Sequence, residues 1–110
     1  MLIAGIAMVI GGAGLILLGA MARAGRLTRQ SIVGLRTKTT MASDEAWEAA
    51  HAAGAGWVGA AGVVLVVGGV AVMLADSESA GGVIALVATG VMLIPLAIAF
   101  MRGQAAARSV

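Results

Sequence analysis

The chain has 110 residues, of which 61% are hydrophobic and 11% are charged, and its mean hydropathy is +1.07. This composition excludes an ordinary soluble globular domain and is typical of a membrane protein. The net charge of +2 comes from seven basic and five acidic residues, too few for a continuous basic face, so we expect no direct nucleic-acid partner. The absence of cysteine excludes a disulfide framework and a thiolate metal site.

Three apolar segments are long enough to cross a bilayer, because a hydrocarbon core of roughly 30 Å needs about 20 helical residues. They cover about residues 2–21, 53–75 and 82–101, and none contains an acidic or basic residue. The sequence therefore predicts an all-α membrane protein with three transmembrane helices. We expect residues 1–110 to form one membrane domain, with a polar loop at about residues 22–52.

The connections between the segments carry opposite charges. All seven Lys and Arg residues lie in the first connection or after the third segment, whereas the second connection holds Asp76 and Glu78. The positive-inside rule then places the first connection and the C-terminus in the cytoplasm and the N-terminus outside.

The first segment has a competing interpretation as a signal peptide, since Ala20-Met21-Ala22 has the form of a cleavage site. However, no basic residue precedes the segment, and it is longer than a typical apolar region of such a peptide. A retained first helix is the better interpretation.

Small residues follow helical spacing in these segments. In lipid, faces of small residues let helices approach closely. We expect a packing role for glycines of the first two segments: Gly5, Gly12, Gly19, Gly59 and Gly62. Packing within the chain is the simplest role, and a homo-oligomer or a larger membrane complex remains an alternative.

Motifs that suggest catalysis or cofactor binding are weak. Residues 54–59 match G-x-G-x-x-G, but they lie in a helical stretch that enters the membrane, where no strand precedes them. Glu48 and His51 have the spacing of a metal-binding helix pair, but such sites need several ligands and the chain has one His. We therefore predict no enzymatic activity, no cofactor and no metal.

The polar loop contains the start of a helix. Ser43 is a favourable N-cap, and Asp44 and Glu45 complement the helix dipole. Since no proline follows before residue 75, one helix is predicted to begin at Asp44 and continue through the membrane, with Trp47 and His51 on one face.

Arg36 lies ahead of this helix and has two interpretations. It is either an ordinary anchor for anionic lipid head groups or a side chain that docks onto an acceptor, such as Glu45 or Glu48, and orders the loop as a recognition surface.

The loop also carries a recognisable signature. It reads Arg29-Gln30-Ser31-Ile32-Val33-Gly34-Leu35-Arg36-Thr37, followed by Thr40-Met41, Ser43, Glu45, Trp47 and His51. This pattern resembles that of the SdpI family of bacterial membrane immunity proteins, which is roughly Arg-Asn-x-x-x-Gly-Ile-Arg-Thr-x-x-Thr-Leu-x-Ser-x-Glu-x-Trp-x-x-x-His. Gln30 departs from the usual Asn, and Lys38-Thr39 replaces a pair that often contains Pro.

The resemblance implies a multi-pass protein of the bacterial inner membrane. Named members of the family protect a producing cell from its own secreted peptide toxin and can communicate with a cytoplasmic repressor. It implies partner binding at the signature positions: Arg29, Gln30, Gly34, Arg36, Thr37, Thr40, Ser43, Glu45, Trp47 and His51. The leading hypothesis is therefore immunity or signalling, and the alternative is a structural accessory subunit of a larger membrane complex.

The predicted orientation can be tested by cysteine labelling, because the native chain has no cysteine. Ser77→Cys is expected to react with an impermeant maleimide in intact cells, and Lys38→Cys is expected to react only after lysis. The opposite pattern would invert the topology.

Overall fold

Three long helices account for most of the described residues. In a computed structural model, which describes residues 1–26 and 36–110, the helices are α1 (Leu2–Arg23), α2 (Asp44–Met73) and α3 (Glu78–Arg108). A single turn of 3-10 helix, Thr40–Ala42, precedes α2, and the described ranges contain no strand. Each helix is long and apolar enough to span a membrane. The prediction of an all-α membrane protein with three spans is confirmed.

Serine side chains cap the starts of α2 and α3. The Ser43 hydroxyl accepts a hydrogen bond from the Ala46 N–H at 3.0 Å, and Ser77 accepts one from the Ala80 N–H at 3.1 Å. Each bond satisfies a backbone donor that the first turn of a helix leaves without a carbonyl. Helix α2 therefore begins at its predicted cap, and α3 begins at Glu78, four residues before the expected start of the third segment.

A left-handed glycine ends α1. Gly25 has a φ of +73°, which allows its N–H to donate to the Ala22 carbonyl while the Arg26 N–H donates to the Met21 carbonyl. This pair of bonds is a Schellman motif, in which glycine tolerates the backbone conformation that other residues avoid. The chain leaves the helix here and enters the polar loop.

Helices α2 and α3 both extend beyond the membrane segments expected from hydropathy. Helix α2 has 30 residues, about 45 Å in length, and runs without interruption from its cap at Ser43. Helix α3 has 31 residues, contains Pro95, and continues past the expected limit near residue 101 to Arg108. Two additional turns of α3 thus lie beside the start of α2.

Helix α2 lies in the middle and packs against α1 through glycine. A Cβ atom added to Gly12 would lie 2.6 Å from the Gly62 carbonyl oxygen, and one added to Gly19 would lie 2.7 Å from the Ala55 carbonyl oxygen. A Cβ on Gly5 would meet the Gly69 carbonyl oxygen at 2.7 Å. The stripe in α1 therefore brings the two backbones into direct contact along the whole interface.

The two glycines of α2 expected to take part in packing differ in their surroundings. The contact between Gly12 and Gly62 is reciprocal, since a Cβ atom added to Gly62 would lie 2.5 Å from the Gly12 carbonyl oxygen. At Gly59, no described atom lies within 4 Å of the Cβ position, although its backbone nitrogen is 3.1 Å from the Cβ position of Gly19. The backbone of Gly59 therefore contacts α1, whereas the space that a side chain would occupy is open.

Small residues also form the contact between α2 and α3. A Cβ on Gly54 would lie 3.2 Å from the Ala99 carbonyl oxygen, and one on Gly68 would collide with the Ala88 methyl group. Large apolar side chains lie outward instead: Ile10 of α1 and Leu86 of α3 are 67% and 77% exposed. This distribution suits a protein surrounded by lipid, where small residues pack and large ones face the hydrocarbon.

The close α1–α2 contact predicts opposite effects for two neighbouring glycines. Gly12→Ala is expected to lower the unfolding temperature in detergent, because overpacking costs roughly 1–3 kcal/mol. Gly14→Ala is the matched control, since no described atom lies within 4 Å of its Cβ position and alanine has the higher helix propensity. Equal unfolding temperatures for the two variants would contradict the glycine contact.

Candidate functional site

One end of the bundle collects the described basic side chains. The antiparallel packing brings together the C-terminal end of α1, the start of α2 and the C-terminal end of α3. We call this the basic end, and its described Lys and Arg residues are Arg23, Arg26, Arg36, Lys38, Arg102 and Arg108. Asp76 and Glu78 lie at the opposite end.

Two threonines close the turn that leads into α2. The Thr37 N–H donates to Thr40 Oγ1 at 2.9 Å, and the Thr40 N–H donates to Thr37 Oγ1 at 3.2 Å. Thr40 Oγ1 also donates to the Thr37 carbonyl at 3.1 Å, and Thr40 is completely buried. Short hydroxyl side chains can serve as donor and acceptor toward a nearby backbone, which explains why threonine suits both positions.

A hydrogen bond from this turn reaches α3. Thr37 Oγ1 donates to Gln104 Oε1 at 2.8 Å, and nearby Ala46 and Ala50 of α2 pack against Ala107. The last turns of α3 therefore hold the threonine turn and the start of α2 together. Gln104 is absent from the residues expected from sequence, because the prediction ended α3 near residue 101. The helix-favouring segment 104–108 was the signal for a longer helix.

Trp47 and His51 stack on the buried face of α2, as their spacing predicts. Their ring centroids are 4.1 Å apart with an interplanar angle of 32°, and Trp47 is only 1% exposed. His51 Nδ1 lies 2.8 Å from the Trp47 carbonyl oxygen. Because a carbonyl only accepts, we assign the hydrogen to Nδ1 in this contact. The pair is buried inside the basic end.

Arg36 is exposed and lies over this pair. Its guanidinium carbon is 5.9 Å from the centroid of the Trp47 ring, within the range of a cation–π interaction. Glu45 and Glu48, the acceptors expected for Arg36, are both exposed residues. The contact with the Trp47 ring is not among the expectations from sequence.

An apolar cavity lies next to the stacked pair. It has a volume of about 210 Å³ and is lined by Leu18 and Ala22 of α1, Gly54 of α2, and Leu96 and Phe100 of α3. Among its described lining residues, His51 is the only one with a polar side chain. A recess of this kind accepts an apolar group and offers one polar contact to orient it.

The remaining signature residues have different positions. Ser43 caps α2, and Glu45 is exposed in its first turn. Arg29, Gln30 and Gly34 fall within residues 27–35, outside the described residues. The structure therefore brings together Arg36 and the following signature positions: Thr37, Thr40, Trp47 and His51.

The described part of the chain contains no group of three or more His, Asp or Glu side chains arranged to hold a metal ion. Glu48 is exposed, whereas His51 is buried against Trp47. Glu48 and His51 therefore belong to no such group within the described residues.

Comparison with known families agrees with the signature in the loop. The model of the SdpI/YfhL protein family matches residues 26–100, which include the loop, α2 and most of α3. The chain belongs to the SdpI/YfhL family. Neither the search of curated proteins nor the search of solved structures found a significant match. The family match confirms the resemblance and extends it through two membrane helices, while α1 precedes the matched region.

In this SdpI/YfhL member, the hydrogen bond between Thr37 and Gln104 is predicted to order the turn that leads into α2. Gln104→Leu keeps the approximate size of the side chain and removes the acceptor, at an expected cost of about 1 kcal/mol. Amide hydrogen exchange of residues 37–42 in detergent is expected to increase several-fold. Thr89→Val, at an exposed position of α3, is the control. Unchanged exchange in Gln104→Leu would show that the bond does not order the turn.

Proposed function

We propose that this SdpI/YfhL member acts in immunity or signalling by binding a peptide toxin or a partner protein through its basic end. The observation that carries the proposal is the joining of signature residues from the loop and α2 to the end of α3, with Arg36 held at the surface. Such an ordered polar surface on a membrane protein is suited to recognition, because its groups are oriented before a partner arrives.

The signature residues divide into two roles by exposure. Thr40 and Trp47 are 0% and 1% exposed, so they position the surface without touching a partner. Arg36 is exposed, and its guanidinium has several donors in a fixed plane. We assign partner contact to Arg36, with a carboxylate or a backbone carbonyl as its acceptor.

The apolar cavity supports the same proposal. It is lined by His51 and by residues of all three helices, and its apolar lining suits an apolar side chain of a partner. The volume of about 210 Å³ exceeds the roughly 150 Å³ of an apolar protein cavity that binds benzene.

The charge distribution favours a cytoplasmic position for the basic end, with the N-terminus outside, and the family resemblance implies a bacterial inner membrane. In this orientation a cytoplasmic partner such as a repressor can reach Arg36 directly. A secreted toxin reaches the same region only after it has entered the bilayer.

A role as an accessory subunit of a larger complex, or as a homo-oligomer, is the second proposal. The glycine stripe of α1 packs against α2 within the chain, so it is not the surface for another protein. This stripe consists of Gly5, Gly12 and Gly19. Gly14 and Gly90 support this alternative, because no described atom lies within 4 Å of their Cβ positions and both are exposed.

Survival of bacteria can test the proposed role of Arg36. Cells that lack the gene are challenged with the culture supernatant of the same strain and complemented with the wild type, Arg36→Ala or Lys38→Ala. Arg36→Ala is expected to lose protection at least tenfold because the partner loses its guanidinium contact. Lys38→Ala removes an equal charge from the same exposed turn and is expected to protect like the wild type.

Membrane levels of each variant are measured by immunoblot. Normal levels together with full protection by Arg36→Ala would reject contact through Arg36. Full survival of the uncomplemented cells would reject immunity against the strain's own products.

A further inference from the structure

We infer that a groove between α1 and α2, on the outer surface of the basic end, binds an anionic phospholipid. The groove has a volume of about 340 Å³. Its floor is formed by Gly56 and Gly59, its apolar walls by Ile16, Ala20 and Val63, and one end by Arg23. We call it the interfacial groove. It is separate from Arg36 and the stacked Trp47–His51 pair, so the inference does not rest on the proposed function.

The floor of the interfacial groove is open because two side chains are missing. No described atom lies within 4 Å of the Cβ position of Gly59. At Gly56, a guanidinium nitrogen of Arg23 lies 3.0 Å from the Cβ position and is the one described atom near it outside the chain's local backbone. A side chain at either position would occupy the groove itself, although the backbone of Gly59 contacts α1 at Gly19.

The walls of the groove are apolar toward the middle of the membrane segment. Ile16 is 39% exposed and Val63 is 52% exposed, so both leave hydrocarbon surface uncovered by the chain. An acyl chain lying along Gly59 would cover this surface. The chemical class of ligand is therefore one with a long apolar part.

Arg23 lies at the polar end of the groove, and Arg102 lies at the same depth but outside the lining. The Arg23 guanidinium lies beside Gly56, and the Arg102 guanidinium carbon lies 5.8 Å from the ring centroid of Trp57, the next residue. Both arginines are exposed, and Trp57 is 36% exposed, as suits an aromatic side chain at a membrane interface. Basic sites between membrane helices at this depth favour anionic head groups.

The nearest acidic residue along α2 lies away from the polar end of the groove. Glu48 is the closest along α2, and it precedes Gly56 by eight residues, about 12 Å along the helix axis. The positive charge of Arg23, which lines the groove, is therefore available to a phosphate group, and Arg102 adds positive charge at the same depth outside the lining. A free anion would use this end alone, whereas an anionic phospholipid matches both the charged end and the apolar groove.

Native mass spectrometry can test the inference with purified protein in detergent. The protein is mixed with equal amounts of phosphatidylglycerol and phosphatidylcholine, and the bound lipids are counted. The wild type is expected to retain phosphatidylglycerol several-fold more than phosphatidylcholine. Gly59→Leu, which fills the groove, and the double variant Arg23→Gln with Arg102→Gln are each expected to remove this preference.

Matched controls separate the groove from general effects. Gly14→Leu adds the same side chain at an open position of α1, and Arg108→Gln removes a charge further along α3. Both are expected to keep the preference. Circular dichroism checks folding, and the arginine variants provide the test if Gly59→Leu does not fold.

Several results would overturn the inference. These are equal retention of the two lipids by the wild type, an unchanged preference in folded Gly59→Leu or in the arginine variants, and an equal loss in Gly14→Leu. Inorganic phosphate is added in a parallel thermal unfolding experiment. Stabilisation by phosphate equal to that by phosphatidylglycerol would identify a free-anion site instead of a lipid site.

Discussion

Helix α2 can pack against two helices at once because glycine and alanine occupy two of its faces. Within lipid, the hydrophobic effect does not drive helices together, so close van der Waals contact must do so. Gly62 meets the backbone of α1 at Gly12, and Gly54 meets the backbone of α3 at Ala99. The relative positions of the three helices, and of every polar group at their ends, depend on these contacts.

The contacts within the membrane also determine what meets at the basic end. Because α1 and α3 each run antiparallel to α2, the start of α2 lies beside the last turns of α3. This arrangement lets Thr37 donate to Gln104, a residue 67 positions away. Trp47 is buried in the helix packing and lies beneath the exposed Arg36. The packing of the helices therefore also positions this cation.

Two surfaces with different chemistry follow from this arrangement. Arg36 and the apolar cavity beside His51 form the surface that we assign to a protein or peptide partner. The interfacial groove faces outward on the other side of α2, where Gly59 leaves space and Arg23 supplies charge. The proposed partner surface and the inferred lipid groove therefore use different faces of α2.

The sequence alone determined the three membrane helices, the start of α2 at its Ser43 cap and membership of the SdpI/YfhL family, because hydropathy, capping and a signature are local properties of the chain. Only the tertiary structure decided that Gln104 accepts a hydrogen bond from Thr37 and that the Arg36 guanidinium lies over the Trp47 ring. It also decided that Gly59 lines an open groove. These are contacts between distant segments, and they depend on how far each helix extends and how it is rotated about its axis. Periodicity in one segment does not specify that rotation, since several small-residue faces were available for packing.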